Sequence, residues 1–169
     1  MTSALAIRLA SDADREALRA LFHETEAFYR TAHAEAAVRE KAIDRLTGPG
    51  DPRCLIAYEG ERPLAYACFA IVVPPLAGAL FLKELYVAEA ARGTGVGAAL
   101  MKALAELARK EGCKRFDWTT DADLPEAQRF YARLGARPLE GKIYYRVEAS
   151  ELDAFIAGET GQRASGRSG

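Results

Sequence analysis

One stretch limits what this chain can become: residues 81–110, reading FLKELYVAEAARGTGVGAALMKALAELARK. Phe81 to Val87 is apolar and rich enough in β-formers to predict a strand. Ala88 to Gly97 is a loop carrying Arg92, Gly93, Thr94, Gly95 and Gly97. From Val96 the apolar positions Val96, Leu100, Leu104 and Leu107 recur at helical spacing, and Gly112 supplies a left-handed stop. Strand, glycine loop and helix start together form an anion site. The first helical amides lack intrahelical acceptors and sit at the positive end of the macrodipole. Glycines let a phosphate approach those amides, and Arg92 adds a forked cation. The stretch from Arg92 to Ala98 is therefore expected to hold a pyrophosphate.

Two phosphate readings compete. Gly93-x-Gly95-x-x-Ala98 fits the loose dinucleotide pattern, with Asp117 roughly 20 residues further on as the ribose-binding acid. That pattern places its first glycine directly after the strand, whereas Ala88 to Arg92 intervene here, and a second βαβ half is missing. The other reading is Arg92-x-x-Gly95-x-Gly97 after Leu85-Tyr86-Val87. It resembles the acetyl-CoA signature of the GCN5-related N-acetyltransferases (GNAT family), Gln/Arg-x-x-Gly-x-Gly/Ala. Downstream, Ala127-Gln128-Arg129-Phe130-Tyr131 followed by Leu134-Gly135-Ala136 resembles the later helix of that family, which carries a tyrosine next to coenzyme A.

The remaining segments fall in an order that suits this resemblance. Leu5–Leu9 predicts a strand. Ser11-Asp12-Ala13-Asp14 predicts a capping box, with Asp in place of Glu, opening a helix that turns Leu18, Leu21 and Phe22 inward. A second helix is predicted over about Ala34 to Leu46, with Val38, Ala42 and Leu46 inward, ended by Gly48-Pro49-Gly50. Arg53–Tyr58 and Pro63–Val73 predict a hairpin whose second strand, apolar on both faces, is central. Residues 74–78 predict a turn. Lys114–Thr119 predicts another strand. Asp123 is the expected N-cap of a helix running to Leu134, with Pro125 in its first turn. Ala136–Leu139 and Lys142–Val147 predict a last hairpin, and Ser150–Ile156 a short helix. An acetyltransferase domain is expected over residues 1–157, followed by a flexible tail at 158–169 that is nearly devoid of apolar anchors. The resemblance implies a single-domain α/β acyl-CoA N-acyltransferase fold: a mixed, mostly antiparallel twisted sheet with helices on both faces.

Composition narrows the function classes. A formal net charge of −1 argues against general nucleic-acid binding. No apolar run reaches membrane-spanning length, and the start lacks the basic and apolar regions of a signal peptide. Cys54, Cys68 and Cys113 are scattered and odd in number, which fits reduced thiols in a cytoplasmic protein better than a disulfide framework, a metal site or a catalytic thiol.

Acetyl transfer requires a held thioester donor, a neutral amine, donors for the oxyanion and a proton for the departing thiolate. The resemblance implies acetyl-CoA as co-substrate, with no metal. Its pyrophosphate would sit on Arg92, Gly93, Thr94, Gly95, Val96, Gly97 and Ala98. Backbone groups of Leu85 and Val87 would pair with the pantetheine arm, and an N–H of Tyr86 or Val87 would serve the oxyanion. Tyr131 is the expected general acid, since an ordinary phenol pKa of about 10 suits a departing alkyl thiolate. Glu84, a charge in an apolar strand on the face shared with Tyr86, is the expected base or acceptor ligand. Glu26 and Tyr29 lie where the family grips its acceptor, and Tyr66 is a further acceptor contact. Many family members carry asparagine where this chain has Leu124, so one coenzyme contact is absent or moved. The expected acceptor is a small cationic amine attacked directly in a ternary complex. A protein or peptide amine is an alternative within the class, and a catalytically silent acetyl-CoA-binding regulator lies outside it. The resemblance also allows a homodimer through the last strands, for which the residues carry no signal.

Overall fold

The computed structural model describes residues 4–30, 35–73 and 78–158. The chain divides into two compact units, Met1–Phe130 and Tyr131–Gly169.

The first unit holds a five-stranded sheet in the order β1-β2-β3-β4-β5. Its strands are β1 (Leu5–Leu9), β2 (Arg53–Glu59), β3 (Arg62–Val72), β4 (Ala79–Val87) and β5 (Arg115–Trp118). Each of the first three neighbouring pairs is antiparallel, and β4 pairs with β5 in parallel. β3 is the centre of the sheet, as its two apolar faces predict. The expected turn after β3 falls at residues 74–77, outside the described residues.

Helix α1 (Arg15–Tyr29) and helix α2 (Ala36–Thr47) share one core. Leu18, Leu21, Ile43 and Leu46 pack there with Cys54, Ile56, Tyr58, Tyr66 and Tyr86 from the sheet. α2 is rotated from the sequence expectation: Val38 is 58% exposed, and Ile43 is fully buried in its place. The physical reason lies in the ion pairs that lock α2 onto α1. Arg39 holds Glu26 at 3.0 Å, Arg15 reaches Asp44 at 2.6 Å, and Arg19 holds Glu40 at 2.6 Å. Those partners turn Arg39 and Glu40 toward α1, and Val38 beside them is carried outward. α1 opens after a tight turn at Asp12–Asp14, where the backbone N–H and hydroxyl of Ser11 both donate to the Asp14 carboxylate, at 2.8 and 2.9 Å.

Helix α3 (Val96–Lys110) buries Val96, Leu100, Met101, Leu104 and Ala108. Gly112 ends it with φ +71°, as expected of a left-handed stop. Helix α4 (Pro125–Arg133) begins at Pro125, so Leu124 takes the flanking position that the sequence reading gave to Asp123. The Gln128 amide there donates to the carbonyls of Asp121 and Ala122, at 3.3 and 2.8 Å.

In the second unit, the expected hairpin at Ala136–Leu139 and Lys142–Val147 does not form as strands; the segment is irregular. Pro138 has no N–H for a ladder, and Ile143, Tyr144 and Tyr145 are 74%, 63% and 84% exposed. A two-stranded ribbon with neither face covered is marginal. The unit closes with helix α5 (Leu152–Ile156). The expected tail lies at residues 159–169, outside the described residues, apart from Gly158.

Candidate active site

The site is built where β4 parts from β5. β4 pairs with β5 only from Ala79 to Leu82, so among the described residues no strand covers Lys83–Val87 on that edge. Which backbone groups face the gap follows from alternation. The Ala88 N–H donates to the Leu64 carbonyl on β3 at 2.8 Å, making 88 and 64 a hydrogen-bonded pair. Stepping back along the same register, Tyr86 also turns its backbone to β3, opposite Tyr66. Leu85 and Val87 therefore direct their N–H and C=O groups to the open edge.

A bulge aims the side chains. Cys68 pairs with Glu84, but Phe69 pairs with Leu82, which leaves Lys83 as an extra residue in β4. Were Lys83 a regular member of the ladder, Leu82 and Glu84 would share a face; with Lys83 bulged out of it they lie on opposite faces. Glu84 and Tyr86 are thereby turned toward α1. The Tyr29 hydroxyl donates to Glu84 Oε1 at 3.3 Å, and the Tyr86 hydroxyl to Glu24 Oε2 at 3.5 Å.

These contacts set the electrostatics. Burial pushes the Glu84 carboxyl above its usual range, against the smaller opposing effects of the Tyr29 hydrogen bond and the Lys83 charge. Burial and the Glu24 charge also raise the Tyr86 phenol, partly offset by Arg92. Glu84 is thus a carboxylate poised to accept a proton.

Beyond β4 lies the loop to α3. Gly95 stands at the helix N-cap with φ +90°, and Gly93 has φ +76°, backbone that other residues adopt only under strain. A side-chain carbon added at either glycine would meet no protein atom within 4 Å, so the space above this turn is open. Gly97 serves packing instead: a carbon there would lie 3.4 Å from both Phe130 and Val87. Of the adjacent Phe130 and Tyr131 on α4, Phe130 takes this inward place. Tyr131, the first residue of the second unit, is half-buried. Arg92 turns back along β4. Its Nε donates to the Val87 carbonyl at 3.1 Å, and its guanidinium lies 4.4 Å from the Phe28 ring centre and 5.7 Å from that of Tyr86. The Thr94 hydroxyl donates to the Ala91 carbonyl at 2.7 Å and tightens the turn.

The other expected acceptor residues are placed differently from one another. Tyr29 joins Glu84. Glu26 faces α2, where both its oxygens take hydrogen bonds from Arg39 at 3.1 and 3.0 Å. Tyr66 is 3% exposed, with its hydroxyl 3.0 Å from that of Thr25 and its phenol raised by burial. Sequence reasoning missed Glu24 and Phe28. Their signal was helical spacing: Glu24 and Phe28 lie four residues apart, on one side of α1.

The sequence and the fold are similar to those of known proteins. The model of the acetyltransferase (GNAT) family matches residues 16–136. A mouse thialysine N-epsilon-acetyltransferase is 26% identical over 166 residues, covering 86% of this chain and 94% of that protein. An aminoglycoside N(6')-acetyltransferase type 1 of Serratia marcescens is 36% identical over 66 residues, 39% of this chain and 45% of that one. Among solved structures, an integron cassette protein from the mobile metagenome of Vibrio cholerae superposes with a TM-score of 0.78 at 30% identity, covering 90% of this chain and 97% of that one. An aminoglycoside N-acetyltransferase solved in complex with CoA shares the fold, with a TM-score of 0.72 at 21% identity over 88% of this chain and 97% of that one.

Proposed function

Because this chain belongs to the acetyltransferase (GNAT) family and is an acetyl-CoA-dependent N-acetyltransferase, we propose that it acetylates a small cationic amine by direct attack in a ternary complex. The observation that carries this reading is the open edge of β4 at Lys83–Val87, running from a raised carboxyl at Glu84 to the glycine turn before α3.

In this reading the coenzyme phosphates rest on the backbone from Gly93 to Ala98, beside Arg92. The pantetheine arm pairs with the outward backbone of Leu85 and with the Val87 carbonyl, which has a second lone pair beside the one taken by Arg92. The Val87 N–H supplies the oxyanion donor, since the Tyr86 N–H is engaged toward β3. The acceptor enters between α1 and β4, where Glu24 and Glu84 lie near the Phe28, Tyr29 and Tyr86 rings. An ammonium suits such a wall of carboxylates and ring faces. Glu84 takes the ammonium proton, directly or through water, so that a neutral amine attacks. The departing thiolate takes a proton from Tyr131. The names of the relatives, a thialysine and an aminoglycoside acetyltransferase, point toward the same class of acceptor.

A coenzyme-release assay tests the proposal on lysine and its thioether analogue, polyamines, aminoglycosides and neutral primary amines. Cationic amines are expected to turn over fastest, and double-reciprocal plots to intersect. Parallel plots would replace direct attack with a covalent acetyl-enzyme, and equal rates for neutral amines would remove the cationic preference. Tyr131→Phe is expected to lower kcat while leaving coenzyme affinity unchanged.

A further inference from the structure

The ring of Phe28 is out of place by ordinary burial rules. It is 51% exposed, in the last turn of α1, one residue before Tyr29 and two before the left-handed Arg30 that ends the helix. What rests on it is Arg92, whose guanidinium centre lies 4.4 Å from the ring centre. The same guanidinium lies 5.7 Å from Tyr86, and its Nε donates to the Val87 carbonyl at 3.1 Å. Phe28 in turn packs edge-on against Tyr29 at 5.0 Å and Tyr86 at 6.1 Å, so its plane is held from two sides.

We infer that Phe28 is a positioning residue for the coenzyme, acting through Arg92; this rests on the role proposed above for Arg92. The physical argument is one of preorganisation. Arg92 is exposed, and its long side chain leaves the backbone just before a turn containing two glycines of positive φ. A long side chain that must be ordered when an anion arrives gives up rotamer freedom at that moment, and affinity falls accordingly. Phe28 removes that freedom beforehand. It fixes the plane of the guanidinium, the Val87 carbonyl fixes its edge, and the head is held at the C-terminal end of β4 where the coenzyme passes. The contact also ties the acceptor-side helix to the coenzyme-side loop through a single stacked pair.

The test is a double-mutant cycle on the full chain, with coenzyme A titrated calorimetrically into the parent, Phe28→Leu, Phe28→Tyr, Arg92→Ala and the Phe28→Leu/Arg92→Ala double variant. Leucine forms helix at least as well as phenylalanine and keeps the apolar bulk, so the change isolates the ring face. Phe28→Leu is expected to weaken binding roughly two- to fivefold, the size of an exposed cation–π contact. Phe28→Tyr, which keeps the ring, restores parental affinity. In the Arg92→Ala background Phe28→Leu has no further effect on coenzyme affinity. Unchanged affinity in Phe28→Leu beside weakened affinity in Arg92→Ala would overturn the inference and leave the proposed coenzyme site standing, as would additive losses in the double variant. Unchanged affinity in Arg92→Ala would remove the premise itself.

Discussion

Two acids in the first unit have opposite environments, and the contrast separates what holds the fold from what is left available for chemistry. Asp14, at the corner where β1, β2 and α1 meet, is 1% exposed. Burial alone would raise its carboxyl, yet hydrogen bonds from Arg8, Tyr58 and Ser11 hold it far below the usual carboxylate range. Arg8 binds both oxygens, at 2.7 and 2.5 Å, and the Tyr58 hydroxyl donates at 2.6 Å. Glu84, at the open end of β4, is half-buried and among the described residues takes the Tyr29 hydroxyl at 3.3 Å, and burial raises its carboxyl. The difference is the number of donors. A carboxylate with every lone pair satisfied is a strut whose proton is out of reach. One that burial raises, and that a long hydroxyl contact only partly offsets, holds a proton more readily, as a general base must.

The sharpest way to break this comparison is to remove each acid in turn. Asp14→Ala leaves the Arg8 and Tyr58 donors without their acceptor. It is expected to cost about 3 kcal/mol of stability, the lower end for breaking a buried pair because Arg8 is half exposed. Urea denaturation measures this, and activity per folded molecule should be unchanged. Because the Asp14 carboxyl is depressed in the fold, its contribution is complete above the ordinary carboxylate pKa of about 4 and is lost as pH falls toward the folded value. The parent should therefore lose stability at acid pH more steeply than Asp14→Ala does.

Glu84→Gln is expected to do the reverse. Loss of a general base lowers kcat about 100-fold, or about 2.7 kcal/mol of transition-state stabilisation, and removes the acid limb of the pH–rate profile. Because the Glu84 carboxyl is raised in the fold, its stabilising effect is present below the ordinary glutamate pKa and is lost as pH rises through the folded value. The Gln variant should therefore be at least as stable as the parent at pH 7 in the same denaturation. A variant that lost stability and activity together would erase the distinction between the two acids.

The smallest effect is expected from Tyr29→Phe. The Tyr29 hydroxyl lowers the Glu84 carboxyl, so its loss should move the acid limb of the pH–rate profile to higher pH, with kcat at high pH changed only a few-fold. A limb displaced to lower pH, or one that did not move, would show that Glu84 is not the group being titrated.

How much of this was legible in the sequence differs from place to place. Strand β4, the glycine turn, α3 and the β2–β3 hairpin were readable because local pattern and long-range packing agree there. Glu84 stood out as the one acid in a mostly apolar strand. The rotation of α2 was not readable, because it is set by Arg39 meeting Glu26 on another helix, and period alone cannot choose between adjacent stripes. The Glu26 assignment was drawn from position in the chain, whereas the direction of its side chain depends on that same pair. Glu24 and Phe28 depended on where the end of α1 lands relative to β4 and the Arg92 loop. The last hairpin read well by alternation, but alternation says which face is apolar and not whether anything covers it.

The extra residue Lys83 carries a consequence of its own. Deleting it would make Leu82 and Glu84 consecutive, and because their pairs with Phe69 and Cys68 would then run on as one regular ladder, Glu84 and Tyr86 would keep their face of the sheet. What the shortened chain would lose is the local bend and added twist that a bulge gives its strand, so every group of the site would survive and only its aim would change.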